Sequence, residues 1–209
     1  MGIDARKMET NSRSDTMILA SIDTKNNKIA MVWIPRDTRV EVSRNRYDKI
    51  NSVNYLQGPE AACKVVGKLL DTRVDHYVVT NFDGFARIVD ILGGVTLDVP
   101  PNMVHNDPDP KLRINLPAGA QRLNGHDALG YVRYRGGPTA DIGRTGRQQK
   151  FIKALGEEML QSKTILKLPE LLPELSKNVD TNLSLNDMLA MAKLTKNFGS
   201  QEIYTQTLP

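Results

Sequence analysis

Tyr77-Val78-Val79-Thr80-Asn81-Phe82-Asp83-Gly84-Phe85-Ala86-Arg87-Ile88-Val89-Asp90-Ile91-Leu92-Gly93-Gly94-Val95-Thr96-Leu97-Asp98-Val99 is the stretch that decides the fold class. Tyr77-Val78-Val79 reads as a buried strand, and Asp83-Gly84-Phe85 opens a helix that Gly93-Gly94 stops after Leu92. Val95 to Val99 then reads as a second strand, closed by Pro100-Pro101. Strand, helix and strand in succession predict an α/β fold with helices on both faces of a central sheet.

The flanking sequence extends this pattern. Met17 to Ile22 and Ile29 to Ile34 are β-prone apolar runs joined by the polar turn Lys25-Asn26-Asn27-Lys28, which predicts a hairpin. Pro35 ends the second run and sets Arg36-Asp37 at the strand end, where sites are built on open sheets. Gly58-Pro59-Glu60 opens a helix to about Leu70. After a polar loop from Asn102 to Pro110, Ile114-Asn115-Leu116 and Gln121-Arg122-Leu123 flank Pro117-Ala118-Gly119-Ala120 like a short hairpin on the periphery of the sheet. Asn124-Gly125-His126-Asp127 caps a helix through Tyr134. A longer helix from Ile142 carries Phe151, Ile152, Leu155, Met159 and Leu160 as an apolar stripe. Helices over Lys167 to Leu175 and Leu185 to Lys196 and a strand near Ile203 to Gln206 complete the chain. Without an internal repeat or visible second domain, residues 1–209 read as a single domain.

At 209 residues with 40% hydrophobic and 25% charged residues, the composition is that of a globular domain. The net charge of +4 favours an anionic partner without singling out nucleic acid. The lone Cys63 lies among alanines and valines and reads as a small buried hydrophobe. The longest apolar run falls far below the roughly 20 residues of a membrane span. Met1-Gly2 abuts a motif-bearing segment, as though a preceding part had been cut away at a domain edge.

The chemistry concentrates at the end of the helix through Tyr134 and just beyond it. Within fifteen positions stand Arg133, Arg135, Arg144 and Arg147, with no lysine among these cations but Lys150 just beyond. Guanidinium forks grip two oxygens at once, so the cluster points to phosphate or carboxylate, although a solvated basic helix end is the plainer alternative. On a helix, Arg144 and Gln148 share one face, with Arg147 beside them. Asp4 and Asp15 are candidate oxygen ligands for magnesium, or else cap and turn residues. The phosphate loop, the nucleophile elbow, zinc spacing and the dinucleotide fingerprint are all missing, and His76, His105 and His126 are scattered. Carboxylates, arginines and a metal suit phosphoryl transfer.

Arg13-Ser14-Asp15-Thr16, Ile34-Pro35-Arg36-Asp37-Thr38, Lys49-Ile50-Asn51, Asp83-Gly84-Phe85, Leu123-Asn124-Gly125 with Ala128-Leu129, Tyr131-Val132-Arg133-Tyr134-Arg135, and Asp141 with Arg144, Arg147, Gln148 and Gln149 follow one another in an order that resembles the LytR-CpsA-Psr family. The resemblance implies a three-layer α/β/α sandwich with a central mixed sheet and a lipid-binding channel for a polyprenyl chain. It implies an extracytoplasmic phosphotransferase, membrane-anchored through an N-terminal helix that this chain lacks. Such enzymes move a glycopolymer, such as wall teichoic acid or capsular polysaccharide, from an undecaprenyl-pyrophosphate carrier to peptidoglycan through a phosphodiester bond. By the same resemblance Asp4 and Asp15 are magnesium ligands, and Arg36, Arg133, Arg135, Arg144 and Gln148 bind pyrophosphate, with Arg147 in the same motif. Arg36 and Arg144 are then the catalytic cations. Asp37 either takes the acceptor proton or orients Arg36. A lipid pyrophosphatase is the near alternative. A nucleic-acid-binding regulator is the distant one, disfavoured by the absence of a helix-turn-helix signature and by only 5% aromatic residues.

Overall fold

The structure, a computed structural model, describes residues 1–3, 12–109, 113–136, 140–161, 164, 171–195 and 203–209. The chain divides into two compact units, Met1–Gly84 with Leu172–Pro209, and Phe85–Leu171.

The first unit is built on the predicted hairpin. Strands β2 (Ser14–Asp23) and β3 (Lys28–Ile34) pair antiparallel from Met17 opposite Ile34 to Asp23 opposite Lys28. The Asp23 carboxylate holds the turn by accepting from the amides of Lys25 and Asn26, and Asn27 takes the left-handed φ of 54°. Strand β1 (Gly2–Ile3) adds antiparallel to β2, and the final strand β12 (Ile203–Thr207) adds parallel to β3, so the sheet is mixed. On the far side of β1, Ile3 donates to Thr80 O and Thr80 donates to Met1 O, which brings in β6 (Val78–Val79) and its partner β11 (Asp180–Thr181). Val79 is buried as expected, whereas Val78 is exposed.

Between β3 and the helix predicted at Gly58, the residue pattern predicts no element. The structure has a second hairpin there, β4 (Arg39–Ser43) with β5 (Arg46–Lys49), followed by α1 (Asn51–Gln57) and α2 (Pro59–Leu69). Met17, Ile34, Val40, Val42, Ile50, Val53, Ala62 and Val66 form the core of this unit. Proline at the first position of α2 costs no backbone bond, as read from the sequence.

The second unit holds most of α3 (Phe82–Ile91), then β7 (Val95–Val99), β8 (Met103–His105), β9 (Ile114–Leu116), β10 (Gly119–Leu123), α4 (Gly125–Arg133) and α5 (Ala140–Leu160). Gly93 and Gly94, at φ 81° and 95°, end α3 as predicted. Three expectations are corrected. Strand β7 pairs with β10 in a two-stranded ribbon, and the described residues do not join it to the mixed sheet. Residues 114–123 do not form a hairpin on themselves, because β9 pairs with β8 and β10 pairs with β7. The five-residue ladder of β10 on β7 begins at Gly119, inside the presumed turn, and satisfies more backbone groups than three residues folded over Pro117 could. Nor is this segment peripheral, since Ile114, Leu116 and Leu123 lie in the core with Val89, Val95, Val99, Tyr131 and Phe151.

Arg122 on β10 reaches Glu158 of α5 at 2.9 Å and also donates to Gly93 O and Thr96 Oγ1. Glu158 is buried, and this pairing with Gln161 on its other oxygen satisfies it. The Lys167 to Leu175 prediction falls largely outside the described residues, of which 171–176 are helical; α6 (Leu185–Thr195) matches its prediction up to Lys196, which is not described. The expected α/β class with a mixed sheet is borne out. No helix among the described residues is long and apolar enough to cross a membrane.

Asn124 caps α4 by accepting from the Asp127 amide at 2.9 Å, and Leu123 before it is buried. A Cβ on Gly125 would stand 2.1 Å from Ala86 O and 2.6 Å from Ala86 C, so α4 starts against the backbone of α3. Gly125→Ala is therefore expected to destabilise the chain by about 1–3 kcal/mol through overpacking. A urea unfolding midpoint equal to that of the wild type would show that the two helices can part without cost.

Candidate active-site cleft

The hairpin register builds the centre of the site. Continuing the β2/β3 ladder two residues past Met17 and Ile34 sets Asp15 opposite Arg36, and Arg36 Nη1 donates to Asp15 Oδ1 at 2.7 Å. Pro35 stops the strand, and a tight turn follows in which the Thr38 amide and hydroxyl both donate to Pro35 O. Ile50 N then donates to Thr38 O and Asn51 N to Arg36 O, strapping the Arg36 loop to the start of α1. The two motifs Ile34-Pro35-Arg36-Asp37-Thr38 and Lys49-Ile50-Asn51 are thus one structural unit. Lys49 closes it with a 2.6 Å ion pair to Asp37, while Arg36 Nε lies 3.7 Å from the other Asp37 oxygen.

These residues line a cleft of about 850 Å³. Arg13, Arg36 and Lys49 contribute three cations, and Asp15, Asp37 and Asp48 three carboxylates. The Lys49 hydrogen bond, then the charges of Lys49 and Arg36, hold the Asp37 carboxyl below the usual carboxylate value. The Lys49 amide does the same for Asp48 at 2.7 Å. A carboxylate stabilised in this way stays ionised and is a weak proton acceptor.

Asp4 lies outside the described residues. Among the described residues no group of three acidic, histidine or cysteine side chains gathers to hold a metal. Magnesium needs only one or two carboxylates when phosphate oxygens complete its shell, and Asp15, a hard oxygen donor 39% exposed in a cleft of cations, fits that role. All three histidines are exposed, as expected for bystanders. Cys63 is only half-buried and donates to His76 O, which departs from the fully buried expectation.

The remaining candidates belong to the second unit. Helix α4 ends as Tyr134 turns to ψ 130°, leaving Arg133 half-buried on its last turn and Arg135 exposed just beyond. Arg144, Arg147 and Gln148 sit half-buried on α5, with Arg144 and Gln148 one turn apart. Arg147 is fixed by Tyr134, for its guanidinium lies 5.3 Å from the ring centroid and its Nη2 donates to Tyr134 O. Burial pushes the Arg147 guanidinium below its ordinary value and leaves Nε with no hydrogen-bond partner. The Tyr134 hydroxyl in turn donates to Asn102 O at 2.8 Å. A Cβ on Gly136 would stand 2.1 Å from that hydroxyl and 2.3 Å from the ring carbon that bears it, so a larger residue there would displace the Tyr134 ring.

The LytR_cpsA_psr family model matches residues 1–209. The chain belongs to this family. It is 33% identical over 201 residues to the polyisoprenyl-teichoic acid–peptidoglycan teichoic acid transferase TagV of Bacillus subtilis, covering 94% of this chain and 51% of TagV. The chain thus spans about half the length of that relative. The crystal structure of B. subtilis TagV superposes with a TM-score of 0.85 at 31% identity, covering all of this chain and 82% of TagV's. TagT bound to LI-WTA matches with a TM-score of 0.78 at 29% identity, over 99% of this chain and 75% of that one.

Within the LytR-CpsA-Psr motifs, the structure separates scaffold from chemistry. Asp83-Gly84-Phe85 is scaffold: buried Asn81 accepts from the Gly84 amide at 2.8 Å, and Phe85 packs on Phe151 with ring centroids 5.1 Å apart. Leu123-Asn124-Gly125 is a cap and a helix contact. Sequence reasoning did not give roles to Lys49, Asp48 or Tyr134, although all three stand inside or beside quoted motifs. The role of Lys49 is legible only from its ion pair with Asp37, twelve positions away.

Two outcomes are expected. Asp37 should titrate below the usual carboxylate range in a carbon-13 NMR titration and move upward in Lys49→Met; its contribution to stability is present above the unfolded-state value and fades as the pH falls through the lower folded value. A midpoint unchanged by Lys49→Met would remove the ion pair as the cause. Tyr134→Ala should weaken pyrophosphate binding by about tenfold in calorimetry through loss of the cation–π contact, with Tyr134→Phe close to wild type. Equal losses in both variants would show that the ring does not hold Arg147.

Proposed function

We propose that this protein is a phosphotransferase that moves a glycopolymer from a polyprenyl-pyrophosphate carrier to peptidoglycan through a phosphodiester bond. The observation that carries the reading is the Asp15–Arg36 pair at the mouth of a cleft lined by cations and ionised carboxylates, in a chain of this family. TagV's name as a teichoic acid transferase and the structure of TagT bound to LI-WTA support a glycopolymer donor. Wall teichoic acid and capsular polysaccharide are both within the proposed donor class, and the proposed setting is the outer face of the cell membrane, reached through an N-terminal anchor.

In the proposed mechanism, Arg36, Arg133, Arg135 and Arg144 bind the non-bridging oxygens of the pyrophosphate, with Gln148 donating beside them and Arg147 adding charge from its seat on Tyr134. Arg36 and Arg144 act as the catalytic cations, since negative charge grows on those oxygens as the reaction proceeds. The acceptor hydroxyl oxygen bonds to the sugar-linked phosphorus, the bond from that phosphorus to the bridging oxygen breaks, and lipid phosphate leaves with the electron pair, taking up the proton that the hydroxyl gives up. Magnesium bound to Asp15 and Asp4 would supply further neutralisation of the phosphate charge. Asp37, held ionised by Lys49, orients Arg36 in this scheme rather than taking the hydroxyl proton. The polyprenyl chain would occupy an apolar channel, as the family resemblance implies.

The test is product analysis by mass spectrometry with a synthetic lipid-pyrophosphate saccharide and nascent peptidoglycan. A phosphodiester-linked saccharide on the glycan is expected, with transfer reduced by roughly 10²–10³-fold in Arg36→Ala. Release of lipid phosphate without glycan linkage would favour the lipid pyrophosphatase, in which water replaces the sugar hydroxyl. Full transfer by Arg36→Ala would sink the assignment of the cleft.

A further inference from the structure

The β4–β5 hairpin carries positive charge that the cleft does not use. Val40 and Val42 are buried in the core, so the alternate positions Arg39 and Glu41, with Lys49 and Tyr47 opposite them, face away from it. Lys49, at one end, lines the cleft and pairs with Asp37. Next along the strip, the Arg39 guanidinium lies 4.8 Å from the centroid of the Tyr47 ring, which is 56% exposed. Exposed Arg44 and Arg46 follow at the far end, around the Asn45 turn.

The acids of the hairpin are already engaged. Glu41 accepts from Lys68 Nζ and from the Asn45 amide, and Asp48 accepts from the Lys49 amide. Arg46 and Arg13 act on Asp48 only at a distance. Among the described residues, neither Arg39, Arg44 nor Arg46 has a carboxylate oxygen within 4.0 Å. Arg39 also stands directly across the ladder from Lys49, whose charge Asp37 already meets, so Arg39 is the cation of this pair left to an outside anion.

We propose that the solvent face of the β4–β5 hairpin is a docking strip for a phosphate-bearing glycopolymer chain that leaves the cleft along it. Arg39 on the face and Arg44 and Arg46 at its turn end take the phosphates, and Tyr47, with the 52% exposed Tyr55 at the cleft, presents flat faces to sugar rings. At about 3.3 Å per residue, Arg39 to Ser43 spans roughly 13 Å, more than one phosphate requires. Charge complementarity selects a polyanion over a neutral polysaccharide. A bilayer surface fits less well, because the strip offers no leucine, phenylalanine or tryptophan to insert. The inference rests on the transferase reading above and narrows its substrate to polymers with phosphate in the repeat.

The test compares the wild-type chain with the triple variant Arg39→Ser/Arg44→Ser/Arg46→Ser, leaving the buried valines in place. Binding of synthetic poly(glycerol phosphate), dextran and phosphatidylglycerol vesicles is measured by calorimetry at low and high salt, with circular dichroism to confirm folding. The wild type should bind poly(glycerol phosphate) but not dextran, more weakly as salt rises. The triple variant should lose about tenfold in that affinity, as expected for three exposed ion pairs together. It should still release lipid phosphate at the wild-type rate from a lipid-pyrophosphate donor bearing a single uncharged sugar. Unchanged affinity for poly(glycerol phosphate), or a loss confined to the vesicles, would overturn the strip. If neither protein processed the short donor, the transferase reading would fail, while the binding comparison would still decide whether the strip holds a polyanion.

Discussion

The hydrogen bond from Arg36 to Asp15 depends on the register of one hairpin. With Met17 opposite Ile34 and four residues in the turn, Asp15 and Arg36 fall opposite each other just past the end of the ladder. A slip of one residue would send every alternate side chain to the other face of the sheet, and with it one member of the pair. The register is pinned at both ends, by Asp23 holding the turn and by Met17 and Ile34 buried in the core. The pair thus sits nine residues along either strand from that turn, and the apolar pairing between fixes where it falls.

From that pair the arrangement spreads by backbone bonds. Arg36 O and Thr38 O each accept from the start of α1, which carries Lys49 to Asp37 and so keeps Asp37 charged. A cleft that holds equal numbers of guanidinium or ammonium groups and carboxylates can exchange internal ion pairs for pairs with an incoming phosphate. Such an exchange leaves little uncompensated charge at any stage. In the second unit the same economy appears as a stack, with Arg147 seated on Tyr134 and Tyr134 seated on Asn102.

Much of this was legible in the sequence because its signals were local. The β2–β3 hairpin, the glycine stop after α3, the Asn124 cap and the proline at the start of α2 all follow from residues a few positions apart. What escaped was pairing between distant segments. Ile114 to Leu116 and Gln121 to Leu123 look like one hairpin, yet each finds a longer-range partner that buries it better. The β4–β5 hairpin carried a signal in the alternation of Arg39-Val40-Glu41-Val42-Ser43, but arginines and a glutamate masked its strand propensity. The arginine cluster of α4 and α5 is read from residue type, whereas the contacts of Lys49 and Tyr134 are made only by the folded chain.

The most direct measurement is the magnesium dependence of binding to a short polyprenyl pyrophosphate, such as farnesyl pyrophosphate, by calorimetry in wild type and Asp15→Asn. The account predicts that magnesium tightens wild-type binding by at least about tenfold, and that Asp15→Asn binds the metal-free ligand but gains little when magnesium is added. A magnesium effect of the same size in both proteins would contradict it, because the ion would then be held without the carboxylate that the hairpin register places beside Arg36.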